Sequence, residues 1–244
     1  MRHPVLTFVR NPSVDAQTAW QFFKNPIHGG ENFWHTRALP FHESLADLEQ
    51  KSDPRRILEA YIQRLYKEHA QALTAREHEL EAFITRSLPL FFQQTDRLFP
   101  ECPWPQQSLT VLFSVFNFCP RFLEEGAFQI FSADSNQAAL FTTCHELLHF
   151  IFYHFAEETF PKLQTLDKNS GTFWLLAELF NHVIQRTPAF TAIHGEPGES
   201  TYAVLQPYAQ RARELWHDDV RAWIVSMFPI VNSTHETAQN PTGV

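Results

Sequence analysis

Glycine is scarce in this chain, with seven in 244 residues, at positions 29, 30, 126, 171, 195, 198 and 243. None falls in GxGxxG or GxxxxGK[ST], so dinucleotide-binding and phosphate-cradling loops have no anchor. Positive charge is also short. Nineteen Lys and Arg stand against 27 Asp and Glu, a formal net charge of −8, which argues against a general affinity for nucleic-acid phosphates or an anionic membrane surface. No run of about 18 apolar residues is present, so no membrane span is expected. The opening MRHPVLTFVRNPSVD lacks the apolar core of a signal peptide and reaches Pro and Asp early. Cysteine is limited to Cys102, Cys119 and Cys144 with no CxxC spacing, the usage of a reducing compartment with free thiols. A soluble cytoplasmic protein is the expectation. No internal repeat is visible.

Aromatic side chains, by contrast, are abundant. Phe alone occurs 24 times, aromatics make up 14% and apolar residues 44%, enough for a substantial core and too much for a disordered chain. A short strand is expected at 4–10 and a helix from Asp15 to Phe23. Pro, Gly and Asn break 25–41 into an irregular loop. From Pro54 to Leu98, Leu58, Ile62, Leu65, Leu80, Ile84, Leu88 and Phe91 mark a helical stripe with gaps, which predicts two helices bent near the middle. Three prolines in 99-FPECPWPQ-106 mark a boundary. Strands are expected at 109–118 and 127–134 with a turn at 119–126, then a helix from Ser135 or Asn136, a loop at 159–171, a helix at 172–186 and one or two helices over 201–227. The arrangement is α+β and mostly helical, with a small sheet packed on a buried helix. It divides into an N-terminal region, 1–98, a core, 99–232, and a flexible tail, 233–244.

One stretch of that buried helix carries chemistry. In 141-FTTCHELLHFIFYHF-155 nearly every residue after Cys144 is apolar or aromatic except His145, Glu146 and His149. These spell His-Glu-x-x-His. On a helix the two histidines lie on one face a turn apart, and two such imidazoles can bind one zinc at about 2.0–2.1 Å each. Glu146 points about 100° around the helix from His145, where it can reach a metal-activated water without ligating the metal. With 13 His and 19 Glu in the chain, roughly 0.05 accidental matches are expected. The apolar surroundings add weight, because a buried Glu beside two His needs a positive partner, and a metal supplies one.

With this motif, residues 138–182 resemble the zincin metallopeptidases, and among them the gluzincins, whose downstream helix presents a Glu as third zinc ligand. The resemblance implies a zincin-like core, a bound Zn²⁺ and hydrolysis of a peptide or protein substrate. It points to Glu178, the sole acid of 174-WLLAELFNH-182, as third ligand beside His145 and His149, and to Glu146 as general base. The metzincin pattern fails, since Phe155 stands where its His belongs. Asp167, Glu157 and Glu158 are lesser ligand candidates, and Cys102 and Cys119 lack the setting of the peptide deformylases. Many gluzincins carry Asp four residues after the ligand Glu to orient an imidazole; here that place holds His182, with Asn181 beside it, as alternative supports. The family also implies an edge strand for substrate, at 127–134, and an oxyanion stabiliser, for which His194, Tyr202 and His217 are candidates. A zincin-like binding or regulatory module with weak or lost hydrolysis is the alternative. No basic recognition helix is present for nucleic acid.

Overall fold

The computed structural model of the chain describes residues 3–196, 198 and 202–239, the last six as backbone only. The chain begins with β1 (Val5–Arg10) and α1 (Pro12–Lys24). Asn11 starts this helix: its Oδ1 accepts from the amides of Ser13 and Val14, and Pro12 occupies the first turn, where no amide is needed. The expected loop over 25–41 is more ordered than its composition suggests. It contains a hairpin, β2 (Ile27–His28) with β3 (Glu31–Asn32), and a π-helical turn at Trp34–Ala38. Gly29 and Gly30 form the hairpin turn at φ of +57° and +84°, values that glycine adopts without steric cost.

The expected bent pair of helices is α2 (Pro54–Glu68) and α3 (Ala70–Leu98), divided at His69. Three strands follow: β4 (Ser108–Ser114), β5 (Arg121–Phe122) and β6 (Ala127–Phe131). β4 ends four residues and β6 three residues short of the expected limits, and the expected turn contains β5. The remaining helices are α4 (Asn136–Thr159), α5 (Gly171–Ile184), α6 (Pro188–His194), α7 (Gln206–Glu214) and α8 (Val220–Gln239). Ser135 caps α4 by accepting from the amide of Ala138. Ser233 onward, expected to be a flexible tail, continues α8 to Gln239, and 240–244 lie outside the described residues.

The four-stranded sheet has the order β1-β4-β6-β5, with β1, β4 and β6 parallel and β5 antiparallel to β6. The fold is thus α+β and mostly helical, as expected. The substrate-edge expectation is corrected. All five residues of β6 are buried, and β6 lies between β4 and β5, which occupies its edge at Ala127 and Phe128.

Two apolar clusters fill the molecule. The larger joins Leu140, Leu147, Leu148 and Ile151 of α4 to Leu176, Leu179 and Phe180 of α5 and to Val111 and Ile130 of the sheet. Full burial of each such side chain contributes about 1.5–3 kcal/mol. The smaller gathers α1, α2 and Phe116 and Phe118 beyond β4. Asp15 of α1 connects this cluster to the sheet. Its carboxylate accepts from Tyr66 Oη at 2.6 Å, Gln129 Nε2 at 2.7 Å and the Val115 amide at 2.9 Å. Among the described residues no helix is long and apolar enough to cross a membrane.

Candidate metal centre

Helices α4 and α5 lie against each other in the larger cluster, and their few polar residues meet. His145 and His149, one turn apart on α4, bring their Nε2 atoms to 3.0 Å from each other. Glu178 of α5 places Oε2 3.3 Å from His145 Nε2 and Oε1 3.2 Å from His149 Nε2. Two ligands about 2.0–2.1 Å from one tetrahedral ion stand roughly 3.3 Å apart. The three side chains therefore have the mutual spacing of a metal's ligands and can hold a metal ion. Glu178 Oε2 has no hydrogen-bond partner despite its nearness to His145. A lone pair placed close to another donor atom but out of line with it suits a shared central ion better than a direct bond. Among the described residues this is the one such group of three.

Charge and burial fit the same role. His149 is fully buried, and burial, with the Arg121 charge adding to it, pushes its pKa down to about 3. It is thus the neutral imidazole that a metal requires. Burial opposes ionisation of Glu178, but His149 and His145 hold its carboxyl well below the usual range. Glu146 stands outside the ligand group, with Oε1 4.0 Å from His145 Nε2 and Oε2 unpartnered. Burial raises its pKa to about 7 against the pull of His145 and Arg121.

Arg121 joins this group without a signal in the sequence. From the two-residue β5 its Nη1 donates to Glu178 Oε1 at 3.2 Å, and Nη2 donates to Tyr153 Oη at 3.2 Å and to the Lys168 carbonyl at 3.1 Å. Tyr153 donates to that same carbonyl at 2.8 Å. The positive partner demanded by a buried Glu178 is therefore supplied in part by the chain itself. In the sequence Arg121 is one Arg in an apparent turn, and only the Pro before it distinguishes the position.

The ligand group opens on a cavity of about 280 Å³. Phe33, Phe118 and Phe141 give it apolar walls, and Asn181, His182 and Tyr202 line it too. Of the three oxyanion candidates Tyr202 is the one at the cavity. His194 is buried behind it, edge-on to Phe141 at 5.1 Å, and His217 is exposed elsewhere. The lesser ligand candidates are engaged away from the group: Glu157 pairs with Lys168 at 2.7 Å, and Asp167 accepts from Ser170 Oγ and the Asn169 amide. Cys119 lines the cavity without joining the ligands, and Cys102 does neither. No family model, curated protein or solved structure matches the chain, so the resemblance to zincins rests on the His145–His149–Glu178 group alone.

Proposed function

We propose that the chain is a zinc-dependent peptidase in which His145, His149 and Glu178 hold the ion and Glu146 is the general base. The observation that carries this reading is the convergence of two imidazoles and a carboxylate at 3.0–3.3 Å beside a cavity. Two nitrogens and one carboxylate oxygen suit zinc, a borderline ion that accepts three protein ligands and leaves a position open in hydrolytic sites. Bound there, zinc would supply Lewis acidity, bringing the pKa of a water towards neutrality. Glu146 receives the proton through its unpartnered Oε2 and later delivers it to the leaving amine. Tyr202, at the cavity wall, is the side chain best sited to donate to the developing oxyanion. The buried setting keeps bulk water from competing for these bonds.

Two measurements test the reading. Wild-type protein purified from zinc-replete medium is expected to carry one zinc per chain, and His145→Ala to lose it; a metal-free wild type removes the site. A peptide-library digest is expected to show cleavage by the wild type and none by Glu146→Gln. Equal cleavage by both takes Glu146 out of the mechanism, and zinc binding without any cleavage favours a binding or regulatory module.

A further inference from the structure

Beyond Glu178, helix α5 and its end carry Asn181, His182 and Gln185, at spacings of three, four and seven that form one helical stripe. Asn181 and Gln185 are 1% and 0% exposed, yet both polar atoms of each amide lack a hydrogen-bond partner. Both ring nitrogens of His182 are likewise buried and unpartnered. Each such group left unsatisfied costs about 1–3 kcal/mol, so three on one stripe call for water or a ligand. Asn181 and His182 open on the cavity beside the ligand group.

Arg186 lines that cavity as well, one turn after His182. Its Nη1 donates to the His182 carbonyl at 3.0 Å and its Nη2 to the Gly198 carbonyl at 2.5 Å. These acceptors fix the guanidinium without neutralising it. Among the described residues the charge that acts on it is another cation, Arg213, which together with burial lowers its pKa. Arg37, the cavity's other cation, instead acts on Asp134 on the same wall.

We propose that this half of the cavity is a subsite for the free C-terminal end of a peptide, with Arg186 taking the carboxylate and Asn181 pairing with the peptide group before it. The inference rests on the peptidase reading and narrows it to removal of residues from a peptide's C-terminus. A side-chain amide offers one donor side and one acceptor side, the complement of a peptide group, and a guanidinium holds a carboxylate in a two-point fork. Arg186 follows Glu178 by eight positions, two beyond the end of α5, an interval that spans about 12 Å at helical rise. An extended peptide advances about 3.3–3.6 Å per residue, so a terminus held at Arg186 leaves a few residues to reach the metal ligands. The cavity, about 280 Å³, is large enough for a short peptide end.

The test is titration calorimetry on metal-free protein, where no metal can attract a carboxylate, with N-acetyl-alanyl-phenylalanine and the same dipeptide as its C-terminal amide. The acid is expected to bind at least tenfold more tightly than the amide. Arg186→Gln should erase that ratio, Arg186→Lys should keep part of it, and Asn181→Ala should weaken both probes equally. If Arg186→Gln fails to fold, the reduced ratio in Arg186→Lys carries the result. Equal binding of acid and amide by the wild type overturns the proposal. A ratio that survives loss of Arg186, or that vanishes in Arg37→Gln instead, also overturns it. Zinc content, measured separately, reports on the peptidase reading and leaves the acid-to-amide ratio readable either way.

Discussion

Arg121 donates to Glu178 at the same carboxylate oxygen, Oε1, that lies 3.2 Å from His149 Nε2. The chain thus provides its own buried cation beside two neutral or partly charged imidazoles, and the carboxylate stays ionised before any metal arrives. This arrangement allows the protein to fold with the three side chains already assembled.

Arg121→Met tests that consequence. Removing one partner of a buried pair costs about 3–5 kcal/mol because the other charge is left uncompensated. Metal-free Arg121→Met is expected to lose stability of that order in urea unfolding. Saturating zinc should restore more stability to the variant than it adds to the wild type, since a dication replaces the missing charge. An equal gain in both proteins would show that Arg121 contributes packing and no charge to the site.

Gly29 connects the β2–β3 hairpin to the cavity. A Cβ built there would lie 2.0 Å from Tyr202 Cδ1, and its φ of +57° already disfavours other residues. Gly29→Ala must therefore displace the Tyr202 ring. Misplacement of a catalytic group by about 1 Å can lower turnover by on the order of 10², and a loss of that size in kcat on a peptide substrate is expected. Gly30→Ala, whose nearest neighbour is at 3.4 Å, should cost about 1 kcal/mol of stability through its backbone alone and leave kcat within a few-fold. Similar kcat values for the two variants would separate Tyr202 from the reaction.

Asp15 gives stability a pH dependence. Burial raises its pKa from the ordinary 3.8 to about 6, against the donors Tyr66, Val115 and Gln129. A carboxyl raised on folding contributes stability that is complete below its unfolded pKa and is lost as pH rises through the folded value. The shift corresponds to about 3 kcal/mol. The difference in unfolding free energy between wild type and Asp15→Asn, which cannot titrate, should therefore fall by about that amount from pH 3 to pH 7. A difference that stays constant over this range would show that Asp15 does not titrate there.

Leu148, fully buried next to His149 in the sequence, and Leu90, 56% exposed on α3, form a control pair. Leu148→Ala is expected to cost about 2–5 kcal/mol through the cavity it leaves, and Leu90→Ala to stay within about 0.5 kcal/mol. Chemical denaturation reads both, and comparable losses would contradict the burial of α4.

The cluster of His145, His149 and Glu178 was legible because these residues contradict their surroundings. His145, Glu146 and His149 interrupt an apolar helix, and Glu178 is the only acid of another, so a demand for partners could be read without knowing the fold. Helix α4 announced its start through Ser135, and the break between α2 and α3 through the gap in the stripe after Leu65. What escaped leaves little trace in one dimension. Two-residue strands such as β5 are too short to show an alternation, and Arg121 is surrounded by residues with the look of a turn. The position of β6 inside the sheet depends on β5 and could not be seen without it. In the sequence Asn181 and His182 stand out only as possible supports for a ligand. Their lack of partners, and that of Gln185, is a property of packing, which spacing does not encode.

Strand β1 is paired along its whole length with β4, from Val5 opposite Ser108 to Arg10 opposite Phe113. Excising residues 99–232 alone would strip that strand away and leave a row of unsatisfied amides and carbonyls on β4, flanked by Leu109, Val111 and Phe113. Such an edge recruits other chains. The shortened protein would aggregate before its chemistry could be measured.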